Sequence, residues 1–143
     1  MKIKALTIPL LLTIILGACA VNKKSRNHVI PSFSLTFGKT GGFTNINPIY
    51  SINNTGDLFK QATDKADPVP VKKLPSASLD SIYLLLKQTE FLSQPISHPG
   101  NISSYLELKM DTLQRKIMWT ESAQLPPACL KLHLYLMETI KNK

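Results

Sequence analysis

The segment LELKMDTLQRKIMWT, residues 106–120, indicates the fold class more firmly than any other part of the chain. Apolar and charged residues alternate through its first five positions, which is typical of a half-buried β-strand. Residues 111–114 predict a turn, and residues 115–120 predict a return strand with Ile117 and Trp119 on one face. We therefore predict an antiparallel hairpin whose apolar face must be covered by other elements.

Two strands and a possible third are predicted nearer the amino terminus. Residues 32–37, SFSLTF, alternate polar and apolar and predict a strand with its two phenylalanines and its leucine inward. Residues 38–42 are glycine-rich and predict a flexible turn. Residues 49–52 predict a second strand, and residues 58–61 pair back as a third after the Asn- and Gly-rich turn at residues 53–57.

Two amphipathic helices are predicted in the second half of the chain. Residues 78–92 repeat leucine and isoleucine at steps of three and four, with Ser76 or Ser78 as the capping residue. Residues 127–141 are ambiguous, because their leucines alternate at period two as in a strand. The proline start at Pro127, the length of the run and its basic end favour a helix. Its predicted apolar face consists of Leu130, Leu134, Met137 and Ile140.

Residues 1–19 resemble the signal segment of a bacterial lipoprotein. Two lysines precede a mostly apolar run over residues 5–16, which is too short to remain as a membrane span. The sequence LGAC at residues 16–19 then resembles a lipobox, in which small residues admit a peptidase and the cysteine thiol accepts lipid. We predict removal of residues 1–18 and lipid anchoring through Cys19. The alternative is an ordinary signal peptide with a chance cysteine.

A basic tether is predicted over residues 19–30, between the lipid and the folded part. Removing Lys2 and Lys4 lowers the formal net charge from +8 to +6, and the remaining basic residues near the lipid would meet anionic head groups. No long basic stripe with interleaved aromatic residues appears, so nucleic acid is not expected as a partner. Ala20 stands where an aspartate retains some lipoproteins at the inner membrane, so the outer membrane is the expected location in the cell envelope.

The remaining elements predict one α+β domain at residues 31–143. Its sheet is expected to be small and antiparallel, in the order β-β-(β)-α-β-β-α, with two helices packed on one face. Three prolines between residues 63 and 75 predict a linker or surface loop without regular structure.

No pattern for catalysis, metal binding or cofactor binding is present in the sequence. His28, His98 and His133 lack the spacing of metal ligands and are predicted to be surface or packing residues. Cys129 lies in an apolar run and is predicted to be a buried structural thiol. We therefore expect a protein that is not an enzyme, with no catalytic residue, no metal and no cofactor. A hydrolase of envelope polymers is the weakest alternative.

Gly41, Gly42 and Phe43 form the candidate partner-binding segment. Two glycines allow the backbone to turn or to approach a partner closely, and Phe43 is either an exposed contact or a buried plug. With the surrounding element order, this segment resembles small lipid-anchored proteins of Bacteroidetes-type bacteria. It is also similar in layout to emfourin, a protein inhibitor of thermolysin-like metalloproteases. The resemblance spans most of residues 32–140, with Asn45 where the family usually has glycine.

The predicted anchor and the missing catalytic pattern favour a membrane-anchored binding or structural module without enzymatic activity. The emfourin-like layout implies a more specific alternative, in which the protein partner is a metalloprotease. In that case the three residues of the candidate segment, Gly41, Gly42 and Phe43, would contact the protease.

Overall fold

The computed structural model describes residues 30–42, 47–89 and 97–141. Within these ranges the chain adopts an α+β fold in which seven strands form one sheet, in the order β4-β3-β2-β1-β6-β7-β5. The elements are β1 (Phe33–Gly41), β2 (Ile49–Asn53), β3 (Asp57–Gln61), β4 (Val69–Lys73), α1 (Ser76–Gln88), β5 (Ser97–His98), β6 (Ile102–Met110), β7 (Leu113–Trp119) and α2 (Pro127–Lys141). The sheet is larger than expected, and it is mixed because β5 runs parallel to β7.

The hydrophobic core lies on one face of this sheet, centred on β1. Phe33, Leu35 and Phe37 point into it and are buried, as the alternation predicted. Leu35 lies opposite Ile52 on β2 and Leu108 on β6, so the apolar row continues across three strands. Full burial of a side chain of this size contributes about 1.5–3 kcal/mol.

Both helices complete the same core cluster. The buried residues of α1 and α2 belong to one hydrophobic cluster with the inward residues of the sheet. The Cys129 Sγ at the start of α2 lies 3.7 Å from the Thr89 carbonyl oxygen just after α1. The start of α2 therefore lies beside the end of α1, and the two helices run antiparallel. Neither of the helices in the described ranges combines the length and the apolar character needed to cross a bilayer.

The hairpin formed by β6 and β7 is confirmed, with Ile117 and Trp119 buried on the core face. Its turn is shorter than predicted, because β7 already begins at Leu113. Asp111 takes a positive φ of 51° at this turn, a conformation that aspartate tolerates better than most residues.

The prediction of an irregular loop over residues 63–75 was wrong at β4. Pro70 lies within that strand and opposite Phe59. Proline is tolerated there because β4 is an edge strand, whose outward N–H groups have no neighbouring strand to bond. The pairing with β3 also has an irregularity between Leu58 and Phe59.

The glycine-rich turn predicted at residues 38–42 begins later than expected. β1 continues to Gly41 because the long strand β6 supplies a partner for every residue up to that point, ending with Gly41 opposite Ile102. At the edge of the sheet, Ser97 and His98 form the short strand β5 beside β7.

The bounds of α1 differ from the prediction at both ends. The helix begins at Ser76 with Pro75 as the cap residue, and no side chain caps it, so neither serine has the predicted role. Proline at this position already has the extended backbone that precedes a helix. The helix ends at Gln88, where the Thr89 hydroxyl donates to the Leu86 carbonyl at 2.7 Å.

The helix α2 is confirmed with the predicted bounds, and Met137 and Ile140 pack against the core as predicted, but Leu130 and Leu134 do not belong to its inward face. Leu130 and Leu134 are 44% and 58% exposed, whereas Cys129, Leu132 and Leu136 are buried. Leucines at every second position supply two overlapping helical stripes, and only packing against the sheet selects one of them.

Candidate functional site

The sheet face opposite the helices carries a band of polar side chains. Thr36 on β1 lies between Ser51 on β2 and Glu107 on β6. Lys116 on β7 follows Glu107 in the same row. Because both helices pack against the other face, these side chains are half-buried or exposed. We refer to this surface as the open face.

A groove of about 260 Å³ lies at the end of the open face where β1 ends and β6 begins. Segments that are far apart in the sequence contribute to its walls, including β1, β6, β7 and the loop after β3. Most of the residues that line it have polar side chains: Thr40, Asn47, Thr63, Asp64, Tyr105 and Lys116. We call this feature the polar groove.

Tyr105 is the most deeply placed polar side chain of the groove, at 6% exposure. A Cβ atom on the opposite Gly38 would lie 3.4 Å from the Tyr105 hydroxyl oxygen and 3.0 Å from the Pro48 carbonyl oxygen. A side chain at position 38 would therefore press on the Pro48 carbonyl oxygen and lie in contact with the tyrosine. Lys116 Nζ lies 4.8 Å from the centre of the Tyr105 ring, which is a cation–π contact.

The Tyr105 hydroxyl has no hydrogen-bond partner among the residues that the structure describes. Burial, and to a smaller degree the Glu107 carboxylate, raise the pKa of Tyr105 above its ordinary value. The hydroxyl therefore keeps its proton at neutral pH, and it can donate as well as accept a hydrogen bond.

Lys116 and Asp64 bring opposite charges to the groove without pairing with each other. Neither forms an ion pair with any residue in the described part of the chain. Lys39 also borders the groove, but its ammonium lies 3.3 Å from a carboxylate oxygen of Glu121. The groove thus presents one cationic and one anionic group that are both available to a ligand.

The predicted binding residues Gly41 and Gly42 lie beside the polar groove. Asn47 Nδ2, from the groove wall, donates to the Gly41 carbonyl at 3.0 Å, and the Gly42 N–H donates to the Asn101 carbonyl at 2.9 Å. Both glycines have positive φ, 90° and 86°. A Cβ atom on Gly41 would overlap the Asn101 carbonyl oxygen, so this position requires glycine.

Several predicted features lie outside the described residues. They are Phe43, the lipidation site Cys19, the cleavage point before it, and His28. The structure therefore brings Gly41 and Gly42 to the groove, while the third residue of the candidate segment stays a prediction.

Cys129 and His133 lie on α2, on the helix-covered side of the sheet, and neither lines the polar groove. Cys129 is 1% exposed, as predicted, and burial raises the pKa of its thiol. The His133 ring packs edge-on against Trp119 with the ring centres 5.0 Å apart. Burial, and then the nearby Lys39, lower the pKa of His133. Its Nδ1 is buried without a hydrogen-bond partner in the described ranges.

No three histidine, cysteine, aspartate or glutamate side chains gather as a potential metal site in the residues that the structure describes. His98 is exposed on β5. Together with the packing of His133 against Trp119, this placement agrees with the prediction that these two histidines are surface or packing residues.

Sequence patterns did not reveal the groove. The alternation in the hairpin placed Lys116 on the polar side of its strand, but it could not show that Tyr105 lies beneath it or that Thr63 and Asp64 lie nearby. The pairing register of five strands decides which of these side chains become neighbours.

Comparisons with known proteins find no match, either to a family model or to a curated relative. The chemistry of the polar groove and of the adjacent glycine turn is therefore the basis on which a function is proposed.

Proposed function

We propose that this protein is a lipid-anchored, non-enzymatic binding module of the bacterial cell envelope. Its partner would be recognised at the end of the open face, where the polar groove meets Gly41 and Gly42. The observation that carries this proposal is the Tyr105 hydroxyl, which is attached to a buried side chain and faces the groove without a described partner. A hydrogen bond from a bound partner to this hydroxyl would contribute about 0.5–1.5 kcal/mol.

The lipid anchor is supported by the LGAC sequence at residues 16–19. The described domain starts at Ile30, and an extended chain covers at most about 3.3–3.6 Å per residue. The segment from Cys19 to Ile30 would therefore hold the domain within roughly 40 Å of the lipid. A module held in this way would bind soluble or surface-attached partners close to one membrane.

Metabolic labelling with an alkyne fatty acid tests the anchor. The full chain should become labelled and sediment with membranes. Cys19→Ala should lose both properties, and Cys129→Ala should keep both. A labelled and membrane-bound Cys19→Ala protein would contradict the anchoring proposal.

Site-specific photo-crosslinking in cells tests the binding surface. A benzophenone amino acid at Thr63, in the groove wall, should give a defined set of covalent adducts. The same probe at Thr112, in the turn between β6 and β7, serves as the control and should give none of them. Identical adducts at both positions, or none at either, would contradict recognition at the groove.

A second candidate function is inhibition of a thermolysin-like metalloprotease. The backbone contacts of Gly41 and Gly42 with Asn47 and Asn101 favour it, because a rigidly held segment loses little conformational entropy on binding. The full chain should then slow such a protease at equimolar ratio, and Phe43→Ala should weaken the effect. Phe59→Ala, the same change on another part of the open face, should not. Absence of inhibition against several such proteases would remove this candidate.

A further inference from the structure

We infer that the polar groove binds a small zwitterion, either an amino acid or the end of a short peptide that carries both an ammonium and a carboxylate group. This inference rests on the proposed binding function and names the ligand class for the same site.

One wall of the groove suits a carboxylate. Lys116 Nζ lies 4.8 Å from the centre of the Tyr105 ring, so this wall combines an ammonium group with a tyrosine that carries a hydroxyl donor. A carboxylate has two oxygens and can accept from both of them. Hydrogen bonds that involve charged groups are the stronger ones in proteins.

The loop after β3 supplies a site for an ammonium group. Gln61 Nε2 donates to the Ala66 carbonyl at 2.6 Å and to the Asp64 carbonyl at 3.3 Å. These bonds hold the loop in place beside the groove. The Asp64 carboxylate has no cationic partner among the described residues, and the Thr63 hydroxyl lines the groove beside it.

The charges favour a ligand with both signs over a simple ion. A lone anion on Lys116 would also face the Asp64 carboxylate, and a lone cation on Asp64 would face the Lys116 ammonium. Like charges in the same site lower affinity, whereas complementary charges provide specificity. Only a ligand that carries both groups is attracted by both walls.

The size of the groove favours a small ligand. Its volume of about 260 Å³ lies below the roughly 300–1,000 Å³ that is typical of pockets for drug-sized molecules. Ile49 is an apolar side chain in the wall and can contact a small aliphatic group. A short side chain such as that of alanine is compatible with these limits.

Isothermal titration calorimetry with dialanine and its blocked forms tests the inference on the full chain, purified in detergent. N-acetyl-dialanine lacks the ammonium, and dialanine amide lacks the carboxylate. Dialanine should bind, and each blocked form should bind about fivefold or more weakly, because each loses a charge-assisted bond at a partly exposed site. Free alanine and trialanine distinguish the two sources of this chemistry, an amino acid or a peptide end.

Three substitutions assign the contacts. Tyr105→Phe removes only the hydroxyl and should weaken dialanine binding about 2- to 10-fold. Lys116→Met should weaken binding of dialanine and of N-acetyl-dialanine, but should change the affinity for dialanine amide little. Asp64→Asn should show the converse pattern, because it loses the contact with the ammonium.

Each substitution has a matched control elsewhere in the molecule. Lys87→Met changes the lysine of a similar contact, in which Lys87 Nζ lies 4.7 Å from the centre of the Tyr83 ring. Tyr135→Phe removes a hydroxyl on α2, and Asp67→Asn removes a charge from the same loop as Asp64. All three controls should bind dialanine like the unchanged protein.

Two results would overturn the inference. One is that dialanine binds no more tightly than its blocked forms, and the other is that the three groove variants keep full affinity while retaining their native melting temperature. Crosslinking at Thr63 would still report a partner in either case, so failure of the zwitterion inference is distinguishable from failure of the proposed binding function. A groove variant that has lost its melting transition would be replaced by Lys116→Arg, which keeps the charge and should keep binding.

Discussion

Separate replacement of Gly41 and Gly42 by alanine tests the conformation of the turn beside the groove. Both residues have positive φ, 90° and 86°, so alanine at either position costs about 1–2 kcal/mol from backbone strain. A Cβ atom on Gly42 would meet only the Ile102 side chain, at 3.6 and 3.8 Å, which is ordinary van der Waals contact. We therefore expect Gly42→Ala to lower the free energy of unfolding by about 1–2 kcal/mol.

The Gly41 replacement has a larger expected cost. Its Cβ atom would overlap the Asn101 carbonyl oxygen, and that oxygen accepts the Gly42 N–H at 2.9 Å. The backbone must separate there, and loss of this hydrogen bond adds about 0.5–1.5 kcal/mol to the strain. Gly41→Ala should then lower the free energy of unfolding by about 1.5–3.5 kcal/mol in total.

Urea unfolding followed by the fluorescence of Trp119 provides the measurement, with linear extrapolation to water. Trp119 is the single tryptophan of the chain and is 5% exposed, so it reports directly on the core. Equal destabilisation by the two replacements, or a change below about 0.5 kcal/mol for Gly41→Ala, would refute the argument from Asn101.

Three further predictions concern the helix-covered side. Leu136→Ala should cost about 2–5 kcal/mol because Leu136 is fully buried, whereas Leu134→Ala at 58% exposure should change the free energy of unfolding by less than about 0.5 kcal/mol; urea unfolding compares them. The pKa of His133 is lowered in the folded protein from its ordinary value of 6.5. The unfolded chain therefore binds more protons than the folded protein near pH 6.5, and the free energy of unfolding should fall as the pH drops through 6.5. His133→Phe should flatten this part of the pH profile. Cys129 should react with a thiol reagent only as fast as the protein opens, because burial excludes the reagent and raises the thiol pKa; rapid labelling of the native protein would contradict this.

Much of the fold could be predicted from the sequence where periodicity acts within one element. The alternation in β1 placed Phe33, Leu35 and Phe37 inward, and the period of α1 identified its four buried positions. The hairpin of β6 and β7 followed from the same alternation. In each case the inward side chains of one element contact a single apolar layer. Apolar residues therefore recur at the period of that element, and the period is visible in the sequence.

The predictions that were wrong depend on neighbouring elements. Pro70 is compatible with β4 because β4 is the edge strand of the sheet that the described residues form, and β1 reaches Gly41 because β6 continues beside it. The choice between the two leucine stripes of α2 follows from contact with the sheet. None of these conditions is encoded in the residues of the element itself.

The sequence by itself determined the half-buried strands, the two helices and the glycine pair at positions 41 and 42, because each depends on local periodicity or backbone freedom. Only the tertiary structure decided that Tyr105, Lys116 and Asp64 share one groove beside that glycine pair. The physical reason is that strand pairing sets which residues become neighbours, and a shift of one residue turns every side chain of a strand to the other face. The polar groove therefore depends on strand register, whereas the turn next to it depends on the backbone freedom of glycine.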